Sequence, residues 1–298
     1  MTDSTASNTP RKVLLGLIGQ GIQKSLTPAM QEREAAQHGL RLHYQLIDLD
    51  VTGSTVEALP TLLQSARIMG YAGLNITYPC KQAVIPLLDE LSEEARAMGA
   101  VNTVVLRDGR LIGHNTDGSG WTRGFTRALP DADLSRVVLL GAGGAGAAIA
   151  HAVVRLGAAQ LTIVDNDADR AAALAAELNR LYGEHARSST DIASAMADAT
   201  GLIHATPTGM DKLPGLPLDA ALLRPDLWVS EVVYFPLETA LLKKARELGC
   251  PVSDGGGMAV GQAVGAFELF TGLAADASRV EAHFRDMVGE RSQAGTAA

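Results

Sequence analysis

Residues 141–146 read Gly-Ala-Gly-Gly-Ala-Gly and separate the apolar run 137–140 from an alanine-rich stretch of helical periodicity. A second apolar run, 161–164, ends in Asp165. Strand, glycine loop, helix, strand and terminal acid, in that order, are the parts of a dinucleotide-binding unit. In such a unit Gly141 permits the tight turn, Gly143 lets the backbone approach a pyrophosphate, and Gly146 lets the helix pack close to the sheet. Ala142, Gly144 and Ala145 complete the loop, and the helix that follows offers free N–H groups and its positive dipole end to phosphate. A carboxylate at Asp165 accepts both hydroxyls of an adenine ribose and repels a 2′-phosphate, so the expected cofactor is NAD. A purely structural glycine turn is the simpler alternative, and the order of the surrounding elements weighs against it.

Four polar clusters precede the loop, each at an expected strand end or helix start: 25–28 (Ser-Leu-Thr-Pro), 75–81 (Asn-Ile-Thr-Tyr-Pro-Cys-Lys), 100–103 (Ala-Val-Asn-Thr) and 113–118 (Gly-His-Asn-Thr-Asp-Gly). Ligands of open α/β sheets bind beyond the carboxyl ends of the strands, which makes these clusters candidates for one crevice. Each also has a structural use on its own. Ser25 and Thr27 can cap a helix, Asn75 and Thr77 can form turns, and Asp117 can be an N-cap.

The elements that must position these residues alternate. Runs 13–19, 44–49 and 73–77 read as strands, with helices at 28–39 and 56–69 between them, the pattern of parallel α/β layers. Residues 81–91 read as a helix that Pro86 should kink or interrupt, and 102–106 with 111–114 flank a hairpin signal at Asp108-Gly109. A connecting helix follows at 117–128. Further strands are expected at 137–140, 161–164, 202–204, 229–233 and 251–253, then helices at 258–271 and 278–287. The fold class is therefore α/β with two domains: an N-terminal substrate domain of residues 1–116 plus a helical return, 258–298, and a Rossmann-type domain of residues 117–257.

Bulk composition fits this reading. The chain has 298 residues, 47% hydrophobic and 19% charged, long enough for two ordinary domains. A net charge of −8 argues against non-specific nucleic-acid binding and against docking on anionic lipid. Cys80 and Cys250 are the only cysteines, expected as reduced thiols of a cytoplasmic protein. No apolar run reaches the ~18 residues of a membrane span. Residues 1–12 are polar and rich in Ser and Thr with no apolar run behind their charges, and read as a frayed leader and not a secretion signal, while 289–298 are small and polar and are expected to be disordered.

Over nearly its whole length the chain resembles the shikimate/quinate dehydrogenase family. The matching signatures are Ser25-x-Thr27-Pro28, Asn75-Ile76-Thr77-x-Pro79-x-Lys81, Gly99-Ala100-Val101-Asn102-Thr103 and Gly113-x-Asn115-Thr116-Asp117-Gly118. They continue with the glycine loop, Ala205-Thr206-Pro207-x-Gly209-Met210, Tyr234-x-Pro236-x-x-Thr239 and Gln262-x-x-x-Ala266-Phe267. The resemblance implies that Lys81 and Asp117 form a catalytic pair. It implies that Ser25 and Thr27 hold the substrate carboxylate, that Thr77, Asn102 and Gln262 hold ring hydroxyls, and that Thr206 and Gly255 join the glycine loop on the cofactor. Oxidising a secondary alcohol requires removal of its proton as hydride leaves carbon, and Lys81 serves either as base or as relay. The expected partners are a small polyhydroxy cyclic carboxylate and no metal, nucleic acid or membrane, in a monomer or homodimer.

The chain also departs from the family pattern. Thr27 stands where many members have Ser, as in members that accept quinate as well as shikimate, and Asp165-Asn166-Asp167 replaces the Arg-containing turn of NADP users, with no Arg until Arg170. His204 and Phe235 each replace an Asn; His204 reads as a packed residue at a strand end, since no metal-ligand spacing accompanies it. Gly255-Gly256-Gly257 reads as a loop where a nicotinamide approaches backbone, or as a flexible turn. Three functions stay open: an NAD-dependent quinate/shikimate 3-dehydrogenase, a dehydrogenase of an aminated analogue, and a dinucleotide-binding regulator without turnover. The presence of both Lys81 and Asp117 weighs against the last.

Overall fold

The structure, a computed structural model, describes residues 11–296. It divides into two compact units: one runs to His114 and takes up Ala266–His283, the other takes Asn115–Gly265 and resumes at Phe284.

In the first unit the chain runs β1 (Lys12–Gly19), α1 (Thr27–Gln37), β2 (Arg41–Asp48), α2 (Leu49–Thr52), α3 (Leu59–Met69) and β3 (Gly73–Ile76). It continues through α4 (Cys80–Ala83), β4 (Glu90–Leu91), α5 (Glu93–Met98), β5 (Thr103–Arg107) and β6 (Arg110–His114). The sheet order is β2-β1-β3-β5-β6-β4. Strands β2, β1 and β3 are parallel, and β3, β5 and β6 are antiparallel. The order reverses at β1, so the segments after β1 and β3 flank a crevice at the strands' carboxyl ends. The hairpin forms as expected, with Asp108 and Gly109 both at positive φ (51° and 74°).

The helix expected over 81–91 is not continuous. Helix α4 stops at Ala83, Pro86 sits in a 3-10 turn over Ile85–Leu87, and β4 follows; a proline ring cannot continue the helix ladder. Helix α5 was not expected, although Ser92 caps it by accepting the Ala95 N–H at 3.2 Å and Glu93 and Glu94 fill its first turn.

The second unit contains α6 (Asp117–Ala128), β7 (Arg136–Leu140), α7 (Gly144–Arg155), β8 (Gln160–Val164), α8 (Ala168–Tyr182), β9 (Ala186–Ser189) and α9 (Ile192–Met196). Then come β10 (Gly201–His204), β11 (Trp228–Glu231), α10 (Ala240–Glu247) and β12 (Val252–Ser253). Helices α11 (Gly255–Thr271) and α12 (Ala277–Thr296) end the described chain. The sheet is parallel throughout, in the order β12-β11-β10-β7-β8-β9, which is the doubly wound order with its switch point between β7 and β10. Strand β9 was not expected; it is a short edge strand, Ala-Arg-Ser-Ser, with no apolar run to announce it. Trp121, Phe125 and Trp228 form an aromatic core, with ring centroids 4.5 Å and 4.9 Å apart along the series. Both indole N–H groups are satisfied, Trp121 donating to Ser230 Oγ at 3.0 Å and Trp228 to the Asp133 carbonyl at 2.8 Å.

Three expectations about the C-terminal third are corrected. Residues 255–257 are the first turn of α11 and not a loop, and all three are buried. Helix α12 reaches Thr296, so 289–296 is helical; residues 297–298, like residues 1–10, lie outside the described residues. The helical return expected to belong wholly to the first domain is shared: Met258 packs in the core with Trp121 and Phe125, whereas Ala266 and Phe270 pack with Val13, Leu15 and Leu17. The first boundary falls at 114/115 and not at 116/117.

Candidate functional site

The glycine loop lines a pocket of ≈ 370 Å³ at the carboxyl ends of β7, β8 and β10, together with Asp165, Arg170 and Thr206. Gly141 has φ +102°, and a Cβ on Gly146 would lie 1.9 Å from the Gly141 carbonyl oxygen, so α7 reaches the loop only because both are glycine. A Cβ on Gly143 or Gly144 would meet nothing within 4 Å. Helix α7 has Gly143 as N-cap and no side-chain cap, so its first N–H groups face open space that fits a pyrophosphate. The residues present fit the dinucleotide that the sequence implies.

Asp165 follows β8 directly and lines this pocket. Its carboxylate accepts the Ala142 N–H at 2.7 Å and the Asp167 N–H at 2.9 Å. It therefore braces the glycine loop as well as presenting negative charge, a role the sequence did not announce. Arg170 pairs with Asp167 at 3.0 Å on the exposed rim. Gly255 lies elsewhere in its own environment: a Cβ there would meet the Val233 and Val232 carbonyl oxygens at 2.4 and 2.5 Å, so the close approach is made by the protein's own backbone.

In the first unit, backbone hydrogen bonds draw the expected substrate residues to the ends of β1 and β3. Thr77 donates its N–H to the Ile18 carbonyl at 2.9 Å, Val101 donates to the Lys81 carbonyl at 2.9 Å, and Ile76 donates to the Asn102 carbonyl at 2.8 Å. Asp48 accepts the Gly21 and Ile22 N–H groups, each at 3.0 Å, and so holds the loop that leads to Ser25. Burial acts to raise its carboxyl, but Gln23 and these N–H donors prevail and hold it below the ordinary value. Ser25 Oγ accepts the Thr27 N–H at 3.2 Å, while the N-cap position of α1 is Leu26, with no side-chain cap. Asn75 is not a turn former. It lies on β3, accepts the buried Tyr44 hydroxyl at 2.7 Å and donates to Thr103 Oγ1 at 3.0 Å; that hydroxyl in turn donates to Asn102 Oδ1 at 2.9 Å. Burial pushes the Tyr44 hydroxyl well above its usual pKa, which keeps it a donor. This chain orients Asn102, and its only sequence signal was a polar residue inside an apolar strand.

In the second unit, Asp117 is the first residue of α6, one position inside Thr116, and is 3% exposed. Its N–H donates to Asn115 Oδ1 at 2.8 Å, and its Oδ1 accepts Gln262 Nε2 at 2.7 Å. Helices α6 and α11 touch backbone to backbone here: a Cβ on Gly261 would lie 2.3 Å from the Gly120 carbonyl oxygen, and one on Gly124 2.4 Å from the Gly257 carbonyl carbon. Gln262, expected to hold a ring hydroxyl, thus also holds Asp117.

His204 is fully buried but is not merely packed. Its Nδ1 lies 2.8 Å from Glu231 Oε1 and its Nε2 lies 2.5 Å from Thr206 Oγ1. Glu231 was not singled out from sequence, and Thr239, whose hydroxyl donates to Glu231 Oε2 at 2.9 Å, stood there only as a signature residue without a role. His204 and Glu231 are register partners across β10 and β11, a pairing visible only once the sheet is known.

Comparison with known proteins agrees with this architecture. A model of the shikimate dehydrogenase substrate binding domain matches residues 17–104. A shikimate dehydrogenase (NADP(+)) of Streptomyces avermitilis is 56% identical over 284 residues, covering 94% of this chain and 98% of the relative. A quinate/shikimate dehydrogenase (NAD(+)) of Corynebacterium efficiens is 49% identical over 276 residues, covering 91% of this chain and 97% of the relative. The solved quinate dehydrogenase from Corynebacterium glutamicum in complex with NAD superposes with a TM-score of 0.89 at 48% identity, covering 93% of this chain and 99% of that one. Identity at this level across both units, on a doubly wound sheet that carries the glycine loop, establishes that the chain belongs to the shikimate dehydrogenase family.

Proposed function

We propose that the protein is an NAD-dependent dehydrogenase that oxidises quinate and shikimate reversibly at C3. The observation that carries the NAD reading is the Asp165 carboxylate, fixed on the pocket by the Ala142 N–H at 2.7 Å. A dianionic 2′-phosphate beside Asp165 and Asp167 is repelled, whereas ribose hydroxyls find an acceptor. The names of relatives carry both cofactors. One feature favours NADP, the Arg170 guanidinium on the same pocket; its pairing with Asp167 opposes that use.

When bound, the nicotinamide supplies the hydride acceptor. Gly141–Gly146, Asp165 and Thr206 hold the dinucleotide, and Gly255, packed against the protein's own backbone, takes no part. Ser25 and Thr27 hold the substrate carboxylate through their hydroxyls, and Thr77, Asn102 and Gln262 hold ring hydroxyls. Lys81 takes or relays the C3 hydroxyl proton, and Asp117 binds a ring hydroxyl and orients the ammonium. The Gln262 amide bond to Asp117 supports this assignment, because it fixes the orientation of the buried carboxylate.

The test is a spectrophotometric assay of reduced cofactor with quinate, shikimate and their aminated analogues, each with NAD and NADP. Both acids should be oxidised, with kcat/KM for NAD above that for NADP by at least about tenfold, a difference of about 1.4 kcal/mol. Comparable values with the two cofactors overturn the NAD assignment, and turnover of only an aminated analogue overturns the substrate.

A further inference from the structure

The carboxylate–imidazole–hydroxyl series Glu231–His204–Thr206 lies beneath the dinucleotide pocket and is not accounted for by the proposed chemistry. Glu231 and His204 have side chains that are 0% exposed, while Thr206 lines the pocket. Glu231 Oε1 also accepts the Val232 and Val233 N–H groups at 2.8 and 3.0 Å. Its Oε2 accepts the Thr239 hydroxyl, which in turn accepts the Leu242 N–H at 3.3 Å.

Proton placement follows from this arrangement. An ionised carboxylate only accepts, so the imidazole proton belongs on Nδ1, facing Glu231. Glu231 has three further donors, two backbone N–H groups and one hydroxyl, so its charge is held without a second imidazole proton. Nε2 then offers a lone pair to Thr206 Oγ1 at 2.5 Å, and the threonine proton must point inward to meet it. The Thr208 N–H approaches the same oxygen at 3.4 Å, leaving the hydroxyl with accepting capacity and no proton for the pocket.

We propose that Glu231 and His204 act as positioning residues that turn the Thr206 hydroxyl into a hydrogen-bond acceptor toward the pocket, so that Thr206 selects a donor group of the dinucleotide, a ribose hydroxyl or an amide N–H, over a phosphate oxygen. The inference rests on the dinucleotide reading of this pocket. A phosphate ester oxygen at neutral pH only accepts, so a hydroxyl whose proton is directed inward offers it nothing. The consequence is a polarity filter on one wall of the pocket, set by two side chains that do not touch the ligand.

Two measurements test it. Long-range proton–nitrogen correlation spectra of the wild-type protein with ¹⁵N-labelled histidine should show His204 protonated on Nδ1 and bare on Nε2 at pH 7. A proton on Nε2, in either the other tautomer or the imidazolium, overturns the proposal without any variant having to fold. Calorimetric titration with NAD and with ADP-ribose then reads the consequence. Thr206→Val should weaken NAD about five- to tenfold, the size of one hydrogen bond, and His204→Leu should weaken it similarly. The double variant should lose no more than either single one, because both remove the same bond. Additive losses overturn the positioning role and leave His204 as packing. Failure of the wild type to bind NAD or ADP-ribose at all overturns the dinucleotide reading instead.

Discussion

Lys81 and Asp165 are the residues whose single changes speak most directly to chemistry. Lys81→Ala should lower kcat by about 10²–10⁴, the range for losing a proton-transfer group, with NAD affinity nearly unchanged. Asp117→Ala should lower it too, and the double variant should lose far less than the product of the two, since the pair acts as a unit. Single-turnover kinetics and calorimetry check both, and a Lys81→Ala enzyme with wild-type kcat refutes the assignment. Because Asp165 also accepts the Ala142 N–H, an alanine there would loosen the loop as well as remove the charge. Asp165→Asn is the cleaner change: its one carbonyl oxygen keeps the Ala142 N–H while the Asp167 bond is lost, it removes the repulsion, and it should narrow the NAD/NADP ratio of kcat/KM by about tenfold. An unchanged ratio would show that the charge does not discriminate. Gly141 and Gly146 were legible because each has a backbone job that only glycine performs. The partners of Asp117 and His204 were not, since Gln262 lies 145 residues from the first and Glu231 lies 27 from the second, and side-chain type alone does not say which distant residue folds beside it.

Helices and strands whose apolar periodicity is strong were read correctly in kind, among them β1, α3, β7, α7 and β8. The misreadings have separate causes. Helix α5 has six residues and β9 has four, too short for periodicity to show, and Pro86 divided a segment whose apolar pattern ran on past it. The glycines at 255–257 misled because glycine usually marks a turn, whereas here Gly255 faces the Val232 and Val233 carbonyls and Gly257, like Gly261 further along α11, lets the α11 and α6 backbones touch. That contact has a measurable consequence. Gly261→Ala would set a methyl 2.3 Å from the Gly120 carbonyl oxygen, which only a shift of α11 against α6 relieves. The overpacking should cost about 1–3 kcal/mol of stability. The same shift displaces Gln262 from Asp117, and a misplacement of about 1 Å is enough to lower kcat by about 100-fold. NAD affinity should hold, because the glycine loop lies on other elements. A variant that loses NAD binding and kcat in parallel would mean that the seam supports the whole unit and not the Asp117–Gln262 pair.

Across the molecule, the C-terminal return is fastened to the first unit by one buried carboxylate. Glu34 is 1% exposed and receives Arg279 Nη2 at 2.7 Å and Nε at 2.9 Å, with the Asp276 N–H at 2.9 Å and His38 Nε2 at 3.1 Å. Burial acts to raise this carboxyl, but the Arg279, Asp276 and His38 hydrogen bonds outweigh it and hold the group below the ordinary 4.5. A depressed folded-state value means that the stabilisation is complete above pH 4.5 and disappears as pH falls through the lower folded value. Arg279→Met should therefore destabilise the protein at pH 7, by less than the loss of a sealed pair would because the guanidinium is 30% exposed. The deficit should close as pH falls below 4.5; denaturant melts from pH 7 to 3 read this, and a deficit independent of pH would mean that Arg279 serves only as packing. The aromatic core of the second unit makes such melts separable. The chain has two tryptophans, and Trp121 and Trp228, 2% and 4% exposed, both belong to that core. Intrinsic emission excited at the indole band consequently watches the nucleotide-binding half alone, while far-ultraviolet dichroism watches every helix and strand. Where the two traces separate, the first unit is unfolding on its own, and the molecule reports this without a label.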